Sequence, residues 1–151
     1  MSIAEEVECL RRIPLFAHVD VAKLKLLAFT SERVTFKAGE TLFSQDEMGT
    51  SAYIVLDGEA EVLVRTPDGP LPVAVLGRSE IIGEIAILCD VPRTATVRAR
   101  SDLTTLCISK DLFFRLIGEF PQMAVQIMRV LAHRLDNTTR QLREALSHHG
   151  G

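Results

Sequence analysis

Tryptophan is absent from this sequence, and cysteine is scarce. The three cysteines, Cys9, Cys89 and Cys107, are odd in number and form no CxxC pair. Neither a disulfide framework nor a zinc site is supported, so reduced structural thiols are expected. The four histidines, His18, His133, His148 and His149, all lie outside the middle of the chain. A cupin-type metalloenzyme would need histidine and carboxylate ligands clustered on strands, which sets that class and its metal aside. A basic excess is missing too. The formal net charge is −3 with no basic cluster, which argues against DNA or RNA as a direct ligand. A small anion stays open, because one arginine in a pocket suffices to hold it. No apolar run approaches the roughly 18 residues of a membrane span. The longest, 81–88, is broken by Gly83 and Glu84. The N-terminal MSIAEEVECL is acidic and lacks the apolar core of a secretion signal. A cytoplasmic protein without a membrane span is expected.

What is present divides into three stretches of one domain, since 151 residues with 47% apolar side chains fit a single core. Residues 1–30 are read as helical, with Pro14 interrupting and Asp20 as a candidate N-cap for a second helix. Residues 31–108 are read as β. Short β-branched runs at 34–36, 41–43, 53–56, 62–64, 73–76, 96–98 and 104–108 alternate with turn signals. Asp57-Gly58 and Pro67-Asp68-Gly69 read as hairpin turns. Many short strands at this spacing point to a mainly β fold, a barrel or jelly roll, with flanking helices. Residues 109–146 are helical again. Ser109 is a candidate N-cap, Gly118 a helix end, and Pro121 the first turn of a long C-terminal helix. Residues 147–151 read as a tail.

The long helix carries a stripe, Ala124, Met128, Leu131, Leu135, Thr138, Leu142 and Ala145, at alternating steps of four and three. Either it packs on the β region, or it is a coiled-coil seam that makes a homodimer.

One segment interrupts the β region: GEIAILCDVPRTATV at 83–97. Residues 85–89 allow a turn or two of helix, and Pro92-Arg93 returns the chain to a strand. Gly83 permits close backbone approach. The uncapped N–H groups that follow favour an anion. Arg93 can fold back over the same spot, and a guanidinium matches two phosphate oxygens. Glu84 is an acceptor suited to a sugar hydroxyl, and Thr94 adds a neutral hydroxyl. On spacing alone, a plain Glu84–Arg93 salt bridge in a loop explains the same residues.

The run GEIAILCDVPRTATVRA resembles the phosphate-binding cassette of the cyclic-nucleotide-binding domain family. LRRIPLF at 10–16 resembles that family's helical lead-in, and Gly39, Gly49 and Gly58 around Tyr53-Ile54-Val55 resemble its first strands. The resemblance covers about residues 10–143. It implies a sensor that binds cAMP or cGMP and performs no chemistry on it. It further implies that Glu84 accepts from the ribose 2′-hydroxyl and that Arg93 pairs with the cyclic phosphate. Backbone N–H groups of Ile85, Ala86 and Ala95 would complete the cradle beside Gly83, and Thr94 would sit near phosphate and base. RLDNTTRQL at 134–142 resembles the base-reading stretch of catabolite-activator-type members. That implies base contacts from Thr138 and from Thr139, the latter across a dimer. Ile82 stands where the family has Phe, and Asp46 and Ser79 where it often has Gly. An effector protein or domain is expected to lie outside these residues, since no helix-turn-helix follows the long helix. Whether the sequence is stand-alone or part of a longer protein stays open. The rival function is a ligand-independent interaction module of the same fold.

Overall fold

The computed structural model describes residues 2–150, the side chains of Arg134, Thr138, His148 and His149 apart. Helix α1 (Ile3–Arg11) begins where the Ser2 hydroxyl accepts from the Glu5 N–H at 3.2 Å, the usual way to satisfy an orphan first-turn donor. Pro14 opens a short 3₁₀ turn, Pro14–Phe16, before helix α2 (Val21–Thr30). Asp20 does hold the N-cap position of α2, but its side chain makes no capping bond. Glu6 of α1 is buried and ion-paired with Arg33, which fixes the helical lead-in to the first strand.

Eight strands follow: β1 (Glu32–Phe36), β2 (Thr41–Phe43), β3 (Ser51–Asp57), β4 (Ala60–Thr66), β5 (Gly69–Leu76), β6 (Ile81–Ile82), β7 (Thr96–Ala99) and β8 (Leu103–Ser109). All seven expected runs are strands. The two-residue β6 was not anticipated, because two isoleucines carry no period of their own. The strands form two antiparallel four-stranded sheets, ordered β1-β8-β3-β6 and β2-β7-β4-β5. This is the jelly roll expected, with helices at both ends.

Only one of the two expected hairpins forms. β4 pairs with β5 across Pro67-Asp68, Thr66 opposite Gly69. Asp57-Gly58 instead carries the chain from one sheet to the other, since β3 pairs with β6 and β8 and never with β4. Gly58 sits at φ +89°, and a Cβ there would lie 2.2 Å from the Asp102 carbonyl oxygen. The glycine is needed for a close crossing of two chains, which local sequence cannot reveal.

β3 shows how the two cores divide. Ala52, Ile54 and Leu56 face the helices and join Leu10, Phe16, Leu24, Phe113 and Met123 in one cluster. Val55 faces the inside of the roll with Phe43, Val97 and Leu103. A period of two on one strand thereby stitches helices to sheet and sheet to sheet. Helix α3 (Glu84–Cys89) interrupts the strands between β6 and β7. Ser109 caps α4 (Lys110–Glu119), its hydroxyl accepting from the Leu112 N–H at 3.2 Å. Gly118 lies inside the last turn of α4, not beyond its end, and Phe120 takes the cap. Pro121 opens α5, which runs to Gly150 and past the expected end at Leu146.

Candidate functional site

Gly83 adopts φ +84° and turns the chain out of β6 into α3. No side chain caps that helix, so its first N–H groups have no intrahelical acceptor. Beyond α3 the chain returns alongside residues 46–48. Arg93 N–H donates to the Glu47 carbonyl at 2.7 Å, and the Asp46 N–H donates to the Arg93 carbonyl at 2.8 Å. Asp46 itself has φ +75° and Ser79 φ +68°. These are the two positions that depart from the glycines the sequence resemblance expects, and both keep the left-handed backbone.

This clamp delivers the Arg93 side chain to the floor of a cleft. Arg93 is 5% exposed. Its Nη1 donates to the Gly83 carbonyl at 2.9 Å and its Nη2 to the Ser51 carbonyl at 2.7 Å. The guanidinium carbon lies 3.9 Å over the Phe43 ring, within cation–π range. Space for it is made by missing side chains. A Cβ on Gly49 would meet the guanidinium carbon at 2.6 Å, and one on Gly83 would meet Nη1 at 2.4 Å. Burial lowers the Arg93 pKa from its ordinary value, while Tyr53, Glu47, Cys107 and Glu84 pull it back up. An arginine starting so high stays cationic at neutral pH.

The cleft has a volume of about 490 Å³, and Gly83, Glu84, Ile85, Ala86, Arg93, Thr94 and Ala95 all line it. Such a volume is ordinary for a small-molecule site. Seven of the nine expected residues are thus brought to one place. Glu84 is buried at 4% exposure beside the arginine, and Thr94 is exposed at the rim. The opposite wall is apolar, with Val62, Val64, Ala74 and Leu76 from the β4–β5 hairpin.

The long helix brings two residues to the cleft that the sequence did not single out. α5 lines the cleft with Asn137 and Gln141. Thr139 is exposed and is not among the lining residues, and the side chain of Thr138 lies outside the described residues. The reason is helical geometry. Residues 137 and 141 share a face, whereas 139 is turned by about 200° from 137. Phe43 and Gly49 were also missed as site residues. Nothing local marks them, since a strand phenylalanine and a loop glycine have ordinary structural uses. Among the described residues no group of three side chains could hold a metal ion. No described helix is long and apolar enough to cross a membrane.

Known proteins resemble this chain in sequence and fold. A CRP-like cAMP-activated global transcriptional regulator of Mycobacterium tuberculosis is 29% identical over 140 residues, 92% of this chain and 62% of that protein. The cAMP-dependent protein kinase regulatory subunit of Schizosaccharomyces pombe is 30% identical over 120 residues, 80% of this chain and 27% of that protein. The catabolite activator protein of Thermus thermophilus matches with a TM-score of 0.78 at 26% identity, over 85% of this chain and 61% of its own. The chain spans less than two thirds of the length of each. The family model for the cyclic nucleotide-binding domain matches residues 33–120. That match runs through both sheets, α3 and Arg93, and the chain belongs to the cyclic nucleotide-binding domain family.

Proposed function

We propose that the cleft binds a 3′,5′-cyclic nucleotide without chemical change, and that the chain is the sensor part of a cytoplasmic signalling protein. The observation that carries this is the buried guanidinium of Arg93 at the floor of a cleft, beside a buried Glu84. Burying a guanidinium is costly unless it is paired and hydrogen-bonded. Two backbone carbonyls and an aromatic face hold this one, and a fork of donors remains for a phosphate. Glu84 takes the ribose 2′-hydroxyl. The N–H groups of Ile85, Ala86 and Ala95 complete the cradle.

A nucleotide that touches both the cassette and α5 favours the arrangement in which they close, and the shift is bounded by its differential affinity for the two states. α5 passes that shift to an effector protein or domain. A second copy of the chain covers the outer face of α5. Met128, Leu135, Leu142 and Leu146 are all more than half exposed. They lie within about 40° of the direction opposite Asn137. Thr139 lies on that same outer side, where it would meet a partner and not its own cleft.

Calorimetric titration of the nucleotide-stripped protein with cAMP and then cGMP tests the binding. Saturation at one site per chain is the expected result. No heat with either nucleotide, together with no thermal stabilisation, would leave a ligand-independent interaction module built on the outer face of α5.

A further inference from the structure

The polar side chains of the cleft come from two sources. Glu84, Arg93 and Thr94 belong to the segment around α3, and Asn137 and Gln141 come from α5. The first group suits a phosphate and a sugar. The second has no use for either in the function proposed above. Both are primary carboxamides, each with an N–H₂ donor and a carbonyl acceptor side by side. They stand one helical turn apart on one face. Asn137 Nδ2 lies 3.4 Å from His133 Nε2, one turn back along the same face. That contact uses at most one of its N–H bonds, and the carbonyl stays available.

We infer that Asn137 and Gln141 read the purine base of the bound nucleotide within the same chain, and that the base they select is adenine. This rests on the cyclic-nucleotide reading of the cleft. A carboxamide complements the adenine edge on which the 6-amino group donates and N7 accepts. The same edge of guanine offers two acceptors, O6 and N7, so the amide oxygen would face O6 without a proton between them. Guanine also carries an N1–H and a 2-amino group. The wall built by Val62, Val64, Ala74 and Leu76 has no acceptor side chain for them, so against it they exchange water for no protein partner. Adenine leaves fewer donors to satisfy. Asn137 and Gln141 thereby read the base from the same helix on which the sequence resemblance places Thr138 and Thr139.

The test compares cAMP, cGMP and purine riboside 3′,5′-cyclic monophosphate, which lacks only the 6-amino group of cAMP. Calorimetry is run on the nucleotide-free full chain, on Asn137→Ala/Gln141→Ala, and on Arg93→Ala. Both α5 positions are exposed, and alanine keeps the helix, so the double variant should fold. The wild type is expected to prefer cAMP over both other ligands by about tenfold. In the double variant cAMP should weaken by about tenfold more than the purine analogue, which keeps the N7 acceptor but has no amino donor to lose, so that their ratio falls to near one. An equal loss for cAMP and the analogue, no loss for either, or a wild-type preference for cGMP would each overturn the assignment. Arg93→Ala separates the two levels. If it abolishes binding while the double variant changes nothing, the nucleotide site stands and the base readers are wrong. If it binds cAMP like the wild type, the phosphate role of Arg93 is lost and the base assignment falls with it.

Discussion

Arg93 is held from three directions before any ligand arrives, by Gly83, by Ser51 and by the ring of Phe43. Its planar fork is therefore preorganised, and lysine cannot reproduce it. Arg93→Ala is expected to weaken cAMP binding by roughly 2–5 kcal/mol, and Arg93→Lys to restore only a small part. Calorimetry on both variants checks this, and near wild-type affinity in the alanine variant would refute the role. Tyr53 offers a second measurement at this scale. It is the one tyrosine of the chain, and its ring lies against Phe36 and Phe43. Burial raises its pKa above the ordinary 10.0, against weaker opposing effects of Ser51 and Arg93. The folded state thus holds the phenolic proton longer than the unfolded one. The stability this contributes is complete below the unfolded value and is lost as pH rises through the folded value. Ultraviolet titration should give a midpoint above 10.0 in buffer, returning towards that value in urea. An unshifted native midpoint would show that the phenol is not desolvated. Glu84 and Arg93 could be singled out in the sequence because the short run that holds them resembles a family motif, while their spacing alone fits a plain salt bridge equally well. Phe43 and Gly49 were not, because their roles exist only once Arg93 has been placed between them.

At the scale of elements, the helices behave as their ends dictate, and the turns do not all follow local rules. Gly118 lies exposed in the last turn of α4, and a Cβ added there would meet nothing within 4 Å. Gly118→Ala should stabilise the protein by about 1 kcal/mol, since alanine lowers the entropy of the unfolded chain and favours the helix. Gly58→Ala should do the opposite. Its backbone is left-handed and its Cβ would collide with the Asp102 carbonyl, so a loss of about 1–3 kcal/mol from strain alone is expected. Urea unfolding of the two variants beside the wild type reads both signs at once. A destabilised Gly118→Ala would mean that the α4 terminus needs glycine after all. The Asp57-Gly58 pair also shows where sequence stops. A positive φ is legible from the residue type, but which strand the turn leads to is not. β3 pairs with β8 and β6 and not with β4, and that choice belongs to the sheets.

At the scale of the whole molecule, the outer face of α5 carries a row of exposed apolar side chains. Ile127 and Met123 seat the start of the helix on the core, while Leu135 is 68% and Leu142 58% exposed. A stripe of leucines that far from its own core is a place for another surface. Sedimentation should show a dimer, and Leu135→Glu should yield a folded monomer whose thermal midpoint no longer depends on protein concentration, because the side chain contributes little to its own core. A monomeric wild type at all accessible concentrations would remove the dimer. The alternating four-three stripe was visible in the sequence, yet its two explanations were not separable there. A period identifies one face of a helix without saying what that face meets.

The sequence by itself determined the order of the helices and of every strand but β6, the mainly β fold class and the segment from Gly83 to Val97 that lines one side of the cleft. These follow from local period, turn chemistry and a contiguous motif, all carried by neighbours along the chain. The tertiary structure alone decided that Arg93 is buried over Phe43, that Asp57-Gly58 crosses between sheets, and that α5 turns Asn137 and Gln141 to the cleft. Each of those depends on residues far apart in sequence meeting in space. The rotation of α5 in particular is set by how Met123 and Ile127 seat in the core, and one step along a helix turns a side chain by about 100°.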